Sequence, residues 1–553
     1  PANGTVLTMA SGGATWAAAG GGGGTILNTS SNNLYTSQSG NSNGGTYNIS
    51  LGKTSGNSLA SSSANNVFLG REAGKGNTTA SGNIGIGWYA FANYSTCTGG
   101  SNIGIGYATL GYLTSGQYNT AIGDRALLKV TTGNHNNCIG WYAGTDITTS
   151  SWNALFGDSA GQNITTGNAN TCLGSQTGWN ITTGGNNVCV GRDSGARTTT
   201  GSFNTFLGFR AGQENSTGSS NVCIGEEAGY GQSGSTNGST NTFIGKRAGK
   251  DITTGYNNVG IGYDTLFKLT SGIHNVCIGD EAANKLTTGS RNIAIGDETM
   301  KNQAVTGTYN IYMGFQSGYN QTGSTKNVGI GYQALYSPSS GDNNIAIGEY
   351  AMWSNSGVTG NYNIGIGNTY NNLTSGTRNV CIGYQAGSSA GPSGEISTSS
   401  DNIVLGNNNI ANLYCADTTI SSSDSRDKTD VTNFTHGLDW VNKLNPITYR
   451  WDKRSWYNEY NEDNNIKTVG TPDGSKKRAR QHIGFLAQDV LAIEQADGFA
   501  SKKDDMLIVN LNEDDSAYGL KYERLVPVLV NAIKELSTEV TTLKTKVATL
   551  EAA

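Results

Sequence analysis

The sequence predicts a mainly β protein: a repetitive β-solenoid or β-roll shaft of about 17 residues per coil, then a small α+β domain ending in a coiled-coil helix. Three observations predict this. Of the 80 Gly in the 553 residues, 74 precede residue 424, whereas 39 of the 75 Asp, Glu, Lys and Arg follow residue 423. The chain therefore has two compositional regimes. Within the first, an Ile-Gly or similar apolar-Gly pair recurs 21 times. Within the second, apolar residues near the C-terminus recur in alternating steps of three and four, the signature of a heptad repeat.

The repeat is the strongest of these signals. Its Gly falls at 52, 70, 87, 106, 123, 140, 157, 174, 191, 208, 225, 245, 262, 279, 296, 314, 331, 348, 367, 383 and 406, and most spacings are 17 residues. Numbering each unit from this Gly, position −4 is Asn in all 21 units, from Asn48 to Asn402. Position −1 is apolar, position −3 is mostly β-branched, and position −2 varies among Gly, Ala, Cys and aromatic residues. An apolar class at −3 and −1 with a different class at −2 has period two, so the segment is a strand. A Thr-Thr-Gly or Thr-Ser-Gly turn follows, as at Thr165-Thr166-Gly167. A unit so short buries no apolar face alone; stacked copies do, and identical Asn side chains then form an amide ladder. At about 4.8 Å per coil, 21 coils make a rod of roughly 100 Å. Whether each chain coils alone or three chains interleave is open at this level.

Six of the eight Cys occupy position −2: Cys138, Cys172, Cys189, Cys223, Cys277 and Cys381. Ala and Gly fill that column elsewhere, so these Cys are read as small packing residues with free, buried thiols. No Cys pair or His spacing matches a metal site, and no metal or other cofactor is expected. Net charge is −5 without a basic run, which argues against nucleic acid as a partner. No segment reaches the roughly 18–20 apolar residues needed to span a bilayer. The chain begins at Pro1 with neither Met nor a signal peptide, which predicts trimming from a longer precursor.

The expected organisation is a Gly/Ser-rich neck at 1–47, a shaft at 48–406, a connector at 407–423 and a terminal domain at 424–553, with its coiled coil at 525–553. In that coil Val526, Ile533, Val540 and Val547 occupy a positions, and Leu529, Leu536, Leu543 and Leu550 occupy d. β-Branched a with Leu d leans toward two strands.

Three blocks mark the terminal domain: Ser423-Asp424-Ser425-Arg426-Asp427-Lys428, His482-Ile483-Gly484-Phe485-Leu486-Ala487-Gln488-Asp489-Val490 and Tyr518-Gly519-Leu520-Lys521-Tyr522-Glu523-Arg524. Together with Leu444-Asn445-Pro446-Ile447-Thr448-Tyr449-Arg450-Trp451, they resemble the peptidase S74 family, the intramolecular chaperones at the ends of phage endosialidases, tailspikes and fibres. The Asn-x-x-Ile-Gly motif is similar to head repeats of trimeric autotransporter adhesins, whose units are shorter. The first resemblance implies a homotrimer and overrides the dimer preference of the heptads. It also implies self-cleavage beside Ser423, most simply between Ser423 and Asp424, with Lys428 as base. A desolvated Lys amine takes a proton from Ser or from water; attack on a bond of another protomer is an alternative, as is a domain that folds the trimer without cutting. Asp427 stands where the family has a hydrophobic residue, and a carboxylate next to Lys428 is expected to make it a poorer base. His482 is read as a packing residue.

The function these features imply is that of a phage tail fibre, carried extracellularly on the virion, joined to upstream tail proteins and binding a host glycan or protein receptor. Aromatic residues at position +1 (Trp88, Tyr107, Trp141, Phe209, Tyr263 and Tyr332) are candidates for stacking on sugars; the plainer reading is scattered surface residues. A glycan-degrading tailspike needs paired carboxylates in a cleft, whereas Asp158, Asp280 and Asp297 share one repeat position and look like coil decoration. A cell-surface adhesin, or a lattice binder using the Thr columns, is a third class.

Overall fold

A computed structural model describes residues 46–93, 96–232, 237–369, 373–389, 392–410, 428–460, 466–468, 470–511 and 518–552, with short segments at 7–10, 13–16 and 34–35. The chain divides into two compact units, Pro1–Gln333 and Ala334–Ala553. The first holds the three-residue strands from Ile49–Leu51 to Val328–Ile330; the second holds those from Ile345–Ile347 to Ile403–Leu405 and the C-terminal region.

Each solenoid strand pairs in parallel with its counterpart one coil away, in strict register: Val188–Val190 lies beside Thr171–Leu173 on one edge and Thr205–Leu207 on the other. Each chain thus coils alone, and both strand edges are used by its own neighbouring coils.

The Asn at −4 fixes this register. Asn187 donates its backbone N–H (3.1 Å) and its Nδ2 (3.0 Å) to Asn170 Oδ1, and Nδ2 also donates to the Gly201 carbonyl (2.9 Å). One side chain thereby joins the strand to the coil before it and to the turn of its own coil. The same pattern recurs from Asn119 through Asn136, Asn241 and Asn275. Asp in this place has no N–H to donate, and Ser is too short to reach both partners. The Thr turns repeat the device: Thr148 Oγ1 donates to the Thr165 carbonyl (3.2 Å), and Thr165 Oγ1 to that of Thr182 (3.1 Å).

The Gly after the strand is fixed by two constraints. At Gly208 φ is +134°, and a Cβ would stand 2.5 Å from the Gly225 carbonyl oxygen of the next coil. No L side chain fits that backbone or that gap.

In all 21 strands the middle residue, −2, is buried, while −3 and −1 are half-buried or exposed. The core is therefore the −2 column, joined by +4 and by the apolar residue before the Thr turn, such as Val130, Ile147 and Ile164. Positions −2 and +4 trade volume. Phe68 faces Gly74 and Phe206 faces Gly212, whereas Gly85 goes with Phe91, Ala121 with Leu127 and Ala294 with Met300. A Cβ on Gly212 would meet Phe206 at 2.4 Å. In these coils a large side chain at one position goes with Gly or Ala at the other, and where −2 is Cys, as at Cys138 and Cys172, the thiol sits against Gly at +4. The described Cys at −2 are free and buried, and burial pushes the Cys138, Cys223 and Cys277 thiols well above their usual range.

In the C-terminal region, helices α1 (Leu438–Val441), α2 (Ala487–Ala496) and α3 (Leu525–Glu551) accompany antiparallel pairs Ile447–Tyr449 with His482–Gly484, Glu459–Tyr460 with Ile466–Thr468, and Val509–Leu511 with Tyr518–Leu520. Trp440, Val490, Ile493, Ile508, Val509, Leu525 and Val528 form its core.

Volume trading makes a specific prediction. Phe206→Gly and Gly212→Phe should each destabilise the local coil by about 3 kcal/mol or more. The double variant, which recreates the Gly85–Phe91 arrangement, should recover most of that loss in hydrogen-exchange protection of residues 200–225.

Candidate functional site

The blocks at 444–451, 482–490 and 518–524 of the terminal domain meet in space. Strand Ile447–Tyr449 pairs with His482–Gly484, which runs through Phe485 and Leu486 into α2. The Tyr522 hydroxyl accepts the Phe485 N–H (3.1 Å), and a Cβ at Gly484 would lie 2.4 Å from that oxygen. The Gly of the middle block is thus required by the Tyr of the last. The His482 ring stacks on Tyr449 at 5.6 Å, a packing role.

Glu494, on α2, is fully buried. Its Oε1 accepts the backbone N–H groups of Ile508 (2.6 Å) and Val509 (3.0 Å), and its Oε2 that of Leu507 (3.0 Å). A buried carboxylate is tolerated because three donors surround it. It clamps α2 to the strand whose partner, Tyr518–Leu520, leads into α3.

α3 has two distinct faces. Leu525, Val528 and Ala532 are buried in the domain core, and Asn531 Nδ2 donates to the Phe434 carbonyl (2.7 Å). All eight heptad residues face outward instead, from Leu536 at 44% to Leu550 at 76% exposure. At α1, His436, Asp439 and Asp497 converge, but their atoms serve local structure. His436 Nδ1 lies 2.9 Å from Asp439 Oδ2, Gly437 N–H donates to Asp439 Oδ1, and Trp440 Nε1 donates to Asp497 Oδ2 (2.6 Å).

Ser423, Asp424 and Asp427 lie outside the described residues. Lys428 is described and exposed. At the start of the connector, Lys453 Nζ donates to the Asn408 carbonyl (2.8 Å) and Arg478 to that of Asn409 (3.4 Å). Burial, with the nearby Arg478 charge, lowers the Lys453 pKa. Trp451 lies 4.9 Å below the Lys453 ammonium, and Trp456 the same distance below the Arg478 guanidinium. Nothing in their spacing marks this pair in the sequence.

A family model described as the chaperone of endosialidase, peptidase S74, matches residues 423–499. This chain carries an S74 chaperone domain. The match spans α1, α2 and the strands between them. No curated protein and no solved structure matches the chain. Among the described residues, no helix is long and apolar enough to cross a membrane.

The aromatic candidates of the +1 column do lie on the surface of the solenoid, paired with cations and one another. Trp88 and Tyr107 contact edge to face at 5.4 Å, Phe209 lies between Arg192 (5.0 Å) and Arg210 (4.7 Å), Arg247 covers Tyr263 (5.2 Å), and Tyr332 stacks on Phe315 (5.5 Å). Trp141 is 54% exposed and meets Tyr142 edge-on. A second aromatic column, at −5, escapes a reading based on +1: Tyr118, His135 and Trp152 form one continuous stack, with centroids 4.9 and 4.0 Å apart. The acids of the +1 column make contacts between neighbouring coils, as when the Asp280 N–H donates to Asp297 Oδ1 (3.2 Å).

Glu494→Ala leaves three N–H groups, those of Ile508 and Val509 buried, without an acceptor. It should destabilise the S74 domain by about 3–5 kcal/mol, seen as loss of near-ultraviolet circular dichroism, while Glu494→Gln retains part of the stability.

Proposed function

We propose that this chain is a trimeric phage tail fibre whose S74 domain brings three chains together, sets their register and is then released by self-cleavage between Ser423 and Asp424. The observation that carries the proposal is the double character of α3: one face docks into a domain of chaperone type, while the heptad face is exposed along its whole length. An exposed a/d seam is the surface of an unassembled coiled coil. Nucleation matters because 21 near-identical coils offer many shifted pairings, and a trimeric clamp fixes chain number and alignment before the shafts meet. Removing the clamp makes assembly irreversible and gives the shaft kinetic stability.

In this reading Ser423 and Lys428 supply the chemistry, on a connector next to the Lys453–Arg478 grip on the last coil. The mature fibre is carried on the virion, joins upstream tail proteins and meets a host glycan or protein receptor, with the +1 aromatics available to stack on sugars. A glycan-degrading enzyme is less well supported, because the acids of the repeat serve contacts between neighbouring coils.

Two measurements test the proposal. Intact mass under denaturing conditions should give two fragments split after residue 423, and Ser423→Ala and Lys428→Ala should both remain full length. An uncut parent chain would leave a permanent trimerisation domain. Ile533→Asp places three carboxylates in one heptad layer and should cost about 3–5 kcal/mol per assembly or more. Sedimentation should then show monomers where the parent chain is trimeric.

A further inference from the structure

Among the described residues, the solenoid leaves one face without a partner in its own chain. At position −1 all 21 residues are Ile, Leu, Val, Phe or Met; at −3 they are Val, Ile, Thr, Ala or, once, Asn137. Neither column contains a charged residue, although +1 next door includes Lys53, Arg71, Asp124, Arg192 and Glu226. These side chains point away from the core: Leu207 is 43% exposed, Ile278 37% and Ile382 41%. Monomeric surfaces rarely carry a contiguous apolar patch larger than a few hundred Å².

We infer that the −3 and −1 columns are the surface along which copies of this chain pack against one another in the shaft. The inference rests on the trimeric reading above and names the face that reading requires. Four features fit a second copy of the same chain as the occupant. Both edges of strands within the stack, such as Val188–Val190, are already hydrogen-bonded within the chain, so side-chain packing of the face is what remains available there. The face repeats once per coil, and another copy in register presents the matching period at every coil. The size is adequate: the coils of the first unit, at about 4.8 Å each and about 10 Å across, present on the order of 800 Å² per chain, the share of one partner in a stable interface. The chain also carries its own means of self-association in the exposed heptads of α3. A sugar would need hydrogen-bonding groups, which the −1 column lacks throughout.

The test is oxidative cross-linking of the full-length chain. Leu207→Cys places a thiol in the −1 column, and Thr183→Cys places one on an exposed Thr turn as the control. Native mass is measured beside each. A trimer in which Leu207→Cys forms disulfide-linked dimers under denaturing conditions, at least tenfold more than Thr183→Cys or the parent chain, is the expected result. A trimer without cross-links at Leu207→Cys, or with equal cross-linking at both positions, overturns the inference and leaves the trimeric reading intact. A monomeric native mass for the parent chain overturns both.

Discussion

The shaft depends on one side chain, the Asn four residues before each Gly. Its amide bonds both along the stack and across its own coil in unit after unit: to the preceding Asn, and to the carbonyl of the turn that closes the unit. Because Asn carries acceptor and donors on one short stem, a single residue satisfies backbone groups that a strand of three residues leaves unpaired. The glycine follows from the same geometry, since coils held this closely bring one Gly Cα against the next Gly carbonyl. With both fixed, the remaining columns are free to vary, and their variation carries the rest of the design.

The period, the Asn column, the Gly column and the packing role of Cys are legible because each depends on nearest-neighbour geometry repeated 21 times. The reciprocity between −2 and +4 is equally present in the sequence, as in Phe206 with Gly212 against Gly85 with Phe91, but it becomes meaningful only once both positions are known to point inward. Which face is inside is not given by a period of two. The ordinary rule assigns the more apolar columns, −3 and −1, to the core. Here −2 and +4 share one narrow space inside the coil, so Gly, Ala and Cys recur at −2 and the branched residues of −3 and −1 go outside.

The C-terminal region divides in the same way. The heptads of α3 are local and are read directly. Glu494 is not, because its partners are backbone N–H groups 13–15 residues away that no residue type announces. Lys453 and Arg478 likewise find carbonyls at Asn408 and Asn409, far off in sequence. Ser423 lies outside the described residues, and its pairing with Lys428 is what the resemblance to the S74 family implies. The chaperone and the shaft nevertheless answer one problem: a rod of interchangeable coils is stable once aligned but has little within it to choose the alignment.

The ladder can be tested directly by hydrogen–deuterium exchange on Asn204→Ala. Asn204 accepts the Asn221 N–H (3.0 Å) and donates to Asn187 Oδ1 (3.1 Å) and the Gly218 carbonyl (2.9 Å). The account predicts that amides from about residue 187 to 225 lose protection by about 100-fold or more, as expected when buried polar groups worth about 3 kcal/mol are left unpaired, while distant coils keep theirs. Unchanged protection across those coils would contradict the claim that the Asn ladder holds the solenoid together.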